Sequence, residues 1–167
     1  MSVTEVYFIR HGIAESRTAG IDDEGRSLTP KGIAKTQQIA QRLSDLGLEF
    51  DRLLTSPLRR AQQTAEIMRD AGLASQMQEF LPLRPGGSLA NWLTWLAQRQ
   101  VTAEERSIAL VGHEPDLSEW AQQLVCGQRQ THWTLKKAGI IGLQVPAADR
   151  AIGQSQLFWL SPPRFLL

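Results

Sequence analysis

The sequence predicts an α/β fold, a three-layer sandwich whose mostly parallel central sheet is flanked by helices. Two runs rich in apolar and β-branched residues, 6–9 and 107–111, are typical of buried strands. Each run ends at a glycine and a histidine, and segments with helical spacing of apolar residues lie between the strands. We expect a single domain over residues 1–167, because no repeat or linker-like stretch interrupts this pattern.

Composition argues against several classes of protein. The net charge is +1, from 18 basic and 17 acidic residues, so an extended surface for nucleic acid or anionic membrane is not expected. Cys126 is the only cysteine, which precludes an intramolecular disulfide and disfavours a thiolate zinc site. No apolar run approaches the roughly 18 residues of a membrane span, and the N-terminus does not resemble a signal peptide. We therefore expect a cytoplasmic protein.

The first strand leads into a loop and then a helix. Residues 13–27 are rich in Gly, Asp, Arg and Ser, and form either the rim of a site at the strand end or a solvated connection. Thr29 and Pro30 are typical of the N-cap and first position of a helix, which Gly47 ends. Its predicted apolar stripe consists of Ile39, Leu43 and Leu46.

A second strand over residues 50–55 is followed by another helix start. Ser56 and Pro57 repeat the N-cap pattern, and the helix is expected to run to about residue 70. Arg59 and Arg60 then lie in its first turn, where the dipole and free N–H groups favour anions and disfavour cations. Two arginines there indicate a bound anion, which requires only one of them to point inward; the alternative is that both face solvent.

The remaining elements complete the sheet. An apolar loop piece over residues 80–83 precedes a helix capped by Ser88, in which Trp92 and Trp95 are expected to pack rather than stack on a ligand. Strand 107–111 runs into Gly112, His113, Glu114 and Pro115, where a further helix begins. Runs 139–145 and 157–160 predict a closing antiparallel hairpin, and residues 161–163 are expected to end the ordered chain.

Three strand ends therefore deliver cationic and imidazole side chains to one place. The carboxyl ends of parallel strands share an edge, which would collect Arg10 and His11, Arg60, and His113. Guanidinium groups match the oxygens of phosphate, and a neutral imidazole can accept a phosphoryl group. The pattern favours phosphoryl transfer to a histidine, with cationic side chains in place of a metal; the alternative is that both histidines are ordinary core residues.

Three motifs resemble those of the histidine phosphatase superfamily, whose fold is phosphoglycerate-mutase-like. They are Arg10-His11-Gly12, the stretch Ser-Pro-Leu-Arg-Arg-Ala-Gln-Gln-Thr-Ala over residues 56–65, and Gly112-His113, in the family order. The resemblance implies His11 as the phosphate-accepting nucleophile, Arg10, Arg60 and Gly12 as substrate-binding residues, and His113 as a residue that contacts the phosphate. The family pattern selects Arg60 over Arg59, because the functional arginine directly precedes Ala61. No cofactor is implied.

Within the superfamily, the short chain and the Gly-His-Glu-Pro sequence resemble the SixA branch of protein phosphohistidine phosphatases. This implies a phosphorylated protein as partner, with a histidine-containing phosphotransfer domain as the natural candidate. Larger members carry an acid that protonates an alkoxide leaving group, and here only Glu79 or Glu15 offers a candidate. Imidazole is a better leaving group than alkoxide and needs no strong general acid. The lack of a convincing general acid in this sequence therefore favours phosphohistidine as the substrate.

Two other functions remain open from the sequence. One is a phosphatase of the same superfamily that acts on small molecules, with Glu79 or Glu15 as general acid. The other is a module that binds phosphate or phosphohistidine without turnover, for which a nucleophile at His11 would be unnecessary.

Overall fold

The computed structural model describes residues 3–18, 20, 22–102 and 104–167. Its helices and longer strands follow the order in which the sequence predicts them. In chain order they are β1 (Thr4–Arg10), α1 (Pro30–Asp45), β2 (Arg52–Thr55), α2 (Arg59–Asp70), β3 (Gln78–Glu79), α3 (Leu89–Thr102), β4 (Ser107–Gly112), α4 (Asp116–Cys126), β5 (Ile140–Val145) and β6 (Gln156–Ser161).

A six-stranded sheet of order β3-β2-β4-β1-β5-β6 forms the middle layer. Strands β1 to β4 are parallel, whereas β5 and β6 add an antiparallel edge. In register, Arg10 lies beside Gly112 and Thr55 lies beside Val111. The carboxyl ends of β1, β2 and β4 therefore meet, as the sequence predicts.

Two apolar clusters separate the sheet from its helices. Trp92 of α3 and Trp120 of α4 belong to the cluster on one face, whereas Ile39 of α1 and Met68 of α2 belong to the other. The predicted packing role of Trp92 is confirmed, since its side chain is fully buried. It contacts the ring of Phe8 edge-on and stacks against the ring of Trp120. The predicted three-layer sandwich is thus confirmed. Among the residues described, none of the helices combines the length and apolar character that crossing a membrane requires.

The predicted start of α1 is confirmed. The Thr29 side chain accepts a hydrogen bond from the Gly32 N–H at 2.9 Å, and Pro30 occupies the first turn. Leu46 does not belong to the buried stripe, because α1 ends at Asp45 and Leu46 becomes the C-cap, with 52% of its surface exposed.

Two further predictions are wrong in detail. The helix predicted from Ser56 begins instead at Arg59, with Leu58 as N-cap, and Ser56 lies in the turn between β2 and α2. Order does not end at residues 161–163, because Pro163–Phe165 form a 3-10 turn and Leu166 packs into the cluster that contains Ile39. The packing of Leu166 thus extends the ordered fold beyond Pro162 and Pro163.

Candidate active site

His11 directly follows β1 and is buried, with 6% of its surface exposed. Its Nδ1 lies 2.7 Å from the carbonyl oxygen of Gly12. Because a carbonyl only accepts hydrogen bonds, this contact assigns the hydrogen to Nδ1. The Nε2 atom of the neutral ring then carries the free lone pair, which is the form that a nucleophilic histidine requires.

Gly12 holds this strand end in place. Its N–H donates to the Thr64 hydroxyl at 3.0 Å, and the Thr64 hydroxyl donates to the carbonyl of Arg60 at 2.8 Å. A Cβ at position 12 would lie 2.4 Å from the Thr36 hydroxyl, so only glycine fits. Both backbone polar atoms of Gly12 are thus engaged within the protein, one with His11 and one with α2.

Arg60 is the arginine of the first turn of α2 that points inward. Its surface is 2% exposed, whereas Arg59 forms a surface ion pair with Glu66 at 3.1 Å. The Arg60 guanidinium donates from Nη1 to the backbone carbonyl of Asp23 at 2.8 Å, and Nη2 lies 3.4 Å from the Asp23 carboxylate. Asp23 begins a 3-10 turn in the loop after β1, so this part of the loop forms a rim of the site.

His113 follows β4 and lies beside His11, with ring centroids 5.3 Å apart and an angle of 54° between the planes. Its surface is 4% exposed, and its Nε2 is 2.7 Å from the Ser56 hydroxyl oxygen. That oxygen also accepts from the Leu58 N–H at 3.2 Å. When the Ser56 hydroxyl donates to Nε2, the hydrogen of the neutral ring is placed on Nδ1.

Arg10 is held by the segment that precedes β5. Its Nη1 donates to the Leu135 carbonyl at 3.0 Å, and the Leu135 N–H donates to the Glu114 carboxylate at 3.4 Å. Glu114 also accepts from the Ser118 N–H at 2.9 Å and the Ser118 hydroxyl at 2.7 Å. Glu114 therefore belongs to the start of α4, as predicted, and in addition links that helix to the support of Arg10.

Both histidines are held neutral. Burial lowers the pKa of His11 to about 3; the hydrogen bond to Gly12 opposes this shift, and His113, Arg60 and Arg10 add to it. Burial lowers the pKa of His113 to about 4, with a further contribution from Arg60. The pKa of each arginine is also lowered by burial. At neutral pH the two guanidinium groups thus supply the positive charge, and His11 presents an uncharged nitrogen.

Three buried polar atoms of this group have no hydrogen-bond partner in the part of the chain that the structure describes. They are Nε of Arg10, Nε of Arg60 and Nδ1 of His113; the other two such atoms among the described residues belong to Thr36 and Trp92. A buried donor without a partner costs about 1–3 kcal/mol, so three at one sheet edge indicate a site built for an anion with several acceptor oxygens. The predicted residues are therefore brought together.

Within the residues that the structure describes, the carboxylates proposed as general acids form no hydrogen bond or ion pair with Arg10, Arg60 or the two histidines. Glu79 is exposed at the end of β3, where it accepts a hydrogen bond from Gln62 at 3.1 Å. Glu15 is exposed and accepts from the Ser27 N–H at 3.4 Å. His132 is exposed. Among the described residues, no three His, Cys, Asp or Glu side chains cluster as they would around a metal ion.

Sequence reasoning missed Ser56 and Asp23. Ser56 was interpreted as a helix cap, although its position directly after a parallel strand is equivalent to that of His11 after β1 and of His113 after β4. That equivalence was a usable signal. Asp23 had none, because a loop of mixed polar residues does not indicate which of its side chains turns toward the sheet.

Comparison with known proteins identifies the relatives of this chain. A family model described as the histidine phosphatase superfamily (branch 1) matches residues 6–83. An uncharacterized protein of Picosynechococcus is 49% identical over 164 residues, which are 98% of this chain and 99% of that one. Phosphohistidine phosphatase SixA of Escherichia coli is 29% identical over 131 residues, 78% of this chain and 80% of that one.

A part of the chain also matches larger proteins. Identity to the mitochondrial serine/threonine-protein phosphatase Pgam5 of Drosophila virilis is 31% over 99 residues; the match takes in 54% of this chain and only 34% of Pgam5. A solved structure of the protein histidine phosphatase SixA complexed with tungstate superimposes with a TM-score of 0.84 at 25% identity, covering 98% of this chain and all of that one. The chain belongs to the histidine phosphatase superfamily, in its SixA-type branch.

Proposed function

We propose that this phosphatase hydrolyses phosphohistidine on a protein, without a metal, through a covalent phosphohistidine at His11. The observation that carries the proposal is the set of unpartnered atoms on Arg10, Arg60 and His113 around the free Nε2 of His11. Three donors around one nucleophilic nitrogen suit the three equatorial oxygens of a phosphoryl group in transfer.

In the first step, Nε2 of His11 attacks phosphorus while the bond from phosphorus to the substrate imidazole breaks. The departing imidazole nitrogen takes a proton from water, and the phosphoryl group is then bound to His11. In the second step, water attacks phosphorus and the bond to Nε2 breaks. The proton that this water releases neutralises the hydroxide left by the first step, and orthophosphate leaves. The two arginines remain charged throughout and balance the charge that spreads over the oxygens.

The leaving group is inferred from the lack of a suitable acid. Asp23 is the carboxylate that contacts Arg60, and although partial burial raises its pKa, the cations of Arg60, Arg26 and Arg17 outweigh this and lower the pKa overall. It is therefore ionised at neutral pH and holds no proton to donate. Glu79 and Glu15 are engaged elsewhere, which supports imidazole over an alkoxide. A histidine-containing phosphotransfer domain is the substrate that we propose.

The proposal is tested by replacing the nucleophile. His11→Ala is expected to lower kcat for phosphoramidate and for a phosphohistidine peptide by about a thousandfold or more, because the covalent route is lost. Wild-type protein quenched in mid-turnover should carry an acid-labile phosphoryl group, and His11→Ala should not. His132→Ala replaces an exposed histidine outside the site and serves as the matched control, with activity unchanged.

The same assay distinguishes the other candidates. Hydrolysis of phosphoserine peptides or sugar phosphates, with none of phosphohistidine, would refute the proposed substrate. Activity that persists in His11→Ala without a phosphoenzyme would refute the covalent route. Tight binding of a phosphohistidine peptide with no turnover would show a binding module instead.

A further inference from the structure

A cavity of about 710 Å³ opens beside the catalytic residues and is lined by five cationic side chains. We call it the basic groove and define it by those cations, which are Arg10, Lys35, Lys136, Lys137 and Arg164. They come from four parts of the chain, namely the end of β1, the middle of α1, the segment before β5, and the C-terminal turn after β6. The groove is thus an assembled surface rather than one loop.

Arg10 joins the basic groove to the catalytic centre. Arg10 lines the groove, and its buried Nε belongs to the unpartnered group beside His11. Ile13, two residues beyond His11, also lines the groove. A chain that extends from a phosphorylated side chain at His11 can therefore reach the groove along Arg10 and Ile13.

The charge of the basic groove is unbalanced. Neither Asp nor Glu contributes to its lining, and the four outer cations form no ion pair within the described ranges of the chain. The whole chain carries a net charge of only +1, so this is a local concentration and not a general property of the surface. A cleft lined by one sign of charge attracts and orients a partner of the opposite sign.

The groove also offers apolar surface to its occupant. Ile39 and Ala138 are buried in its wall, Ile13 is half-buried, and Leu160 is 40% exposed. A volume of about 710 Å³ lies within the range of roughly 300–1,000 Å³ typical of sites that enclose a drug-sized ligand, and exceeds what one phosphoryl group needs. The occupant therefore combines acidic groups with apolar side chains.

We propose that the basic groove docks an acidic, partly apolar segment of the phosphoprotein, adjacent in space to its phosphohistidine. This inference rests on the proposed function. It adds a specificity element: the catalytic residues recognise the phosphoryl group, and the groove selects which phosphoprotein is hydrolysed.

Three substrates separate docking from chemistry. One is a peptide with a phosphohistidine followed by glutamates and leucines, the second has glutamines in place of the glutamates, and the third is phosphoramidate. The groove variant Lys35→Glu/Lys136→Glu reverses two cations that take no part in the chemistry. Its matched control, Arg69→Glu/Arg106→Glu, changes the net charge equally at the opposite end of the sheet, where α2 ends and β4 begins.

The groove variant should raise KM for the acidic peptide about tenfold or more with kcat unchanged, because lost steering and contact weaken binding but not transfer. With phosphoramidate and with the glutamine peptide, the groove variant should have the same kcat and KM as wild type. The control variant should have the same kcat and KM as wild type with all three substrates. In wild type, KM for the acidic peptide should rise steeply with salt concentration, whereas KM for the other two substrates should not. Equal KM values for the acidic and the glutamine peptide in wild type would overturn the proposal.

A binding measurement keeps the two proposals distinct. The fluorescently labelled acidic peptide without phosphate should bind wild-type protein and the control variant, and should bind the groove variant at least several-fold more weakly, whether or not phosphohistidine is a substrate. If turnover of phosphohistidine is absent but this binding pattern holds, the proposed function fails and the docking groove stands. If the groove variant instead loses binding to anionic vesicles or loses self-association, with peptide binding unchanged, the docking proposal fails.

Discussion

Ser56 determines which nitrogen of His113 would be free to donate a hydrogen bond to a phosphoryl group. Its hydroxyl oxygen lies 2.7 Å from Nε2 and accepts from the Leu58 N–H, which leaves the hydroxyl hydrogen free for the ring. Nδ1 then carries the ring hydrogen and has no hydrogen-bond partner in the described part of the chain. Ser56 is thus a positioning residue that acts through His113, and it is fully buried.

Ser56→Ala should lower kcat for phosphoramidate about tenfold with a smaller effect on KM, because His113 loses its fixed orientation and its tautomer. The pH dependence of kcat should shift as well, since the ring loses a hydrogen-bond partner, and a merely structural serine would not cause that shift. Steady-state kinetics from pH 3.5 to 8, a range that includes the pKa of about 4 for His113, provide the measurement.

Ser155→Ala is the control for this substitution. Ser155 is also buried and donates to the Ala151 carbonyl at 2.8 Å, but it lies in the connection after β5, away from the catalytic edge. Equal loss of kcat in both variants would mean that Ser56 contributes only stability.

At the scale of elements, the 3-10 turn Asp23–Gly25 places a carboxylate, that of Asp23, beside Arg60. The carboxylate of Asp23 lies 3.4 Å from Nη2 of Arg60, and its backbone carbonyl accepts from Nη1 at 2.8 Å. A dianionic phosphate that binds Arg60 must share the guanidinium with this carboxylate, or displace it. The turn therefore tunes the affinity of the site for anions.

Asp23→Asn should lower the inhibition constant of orthophosphate several-fold, because a negative charge beside the anion is removed while the backbone carbonyl still holds Arg60. Product inhibition of phosphoramidate hydrolysis gives the constant. Asp22→Asn removes the same charge one residue earlier, where the side chain caps the turn instead of contacting Arg60. A similar change in both variants would attribute the effect to general charge and not to the contact.

The sequence predicted the elements better than their ends. Helix α1 was correctly placed because Thr29 and Pro30 signal a start by local chemistry alone. The same signal at Ser56 and Pro57 was misleading, because the Ser56 hydroxyl is held by a histidine 57 residues away in sequence. Local patterns specify helix starts only where no tertiary partner competes for the capping side chain.

On the scale of the whole molecule, the topology of the sheet assembles the site. Residues after β1, β2 and β4 come together because these strands are parallel neighbours, and this convergence followed from the sequence pattern. The supporting contacts did not, because the Glu114 carboxylate reaches Arg10 only by way of the backbone N–H and carbonyl of Leu135, whose partners no residue type reveals. The basic groove likewise joins distant segments, so its cations looked unrelated in the chain.

The two buried histidines also couple the stability of the whole fold to pH. In the unfolded chain each ring titrates near pH 6.5, whereas in the folded protein the pKa values are about 3 for His11 and about 4 for His113. As the pH falls below 6.5, the unfolded state binds protons first, so stability that is complete above pH 6.5 is lost as the pH decreases toward 4 and below. Each ring should contribute a loss of about 2 kcal/mol at pH 5.

Urea unfolding at pH 7.5 and pH 5.0, in buffer without phosphate, measures this loss. His113→Gln should remove about half of the loss of unfolding free energy that the two rings cause between pH 7.5 and pH 5.0. His132→Gln, at an exposed position, should leave the pH dependence of the unfolding free energy as in wild type. Added tungstate should reduce the loss in wild type, because an anion bound between the arginines stabilises the charged rings and favours the folded state. If His113→Gln has the pH dependence of wild type, the ring is not held neutral by burial, and the neutral form inferred for its neighbour His11 would lose its physical basis.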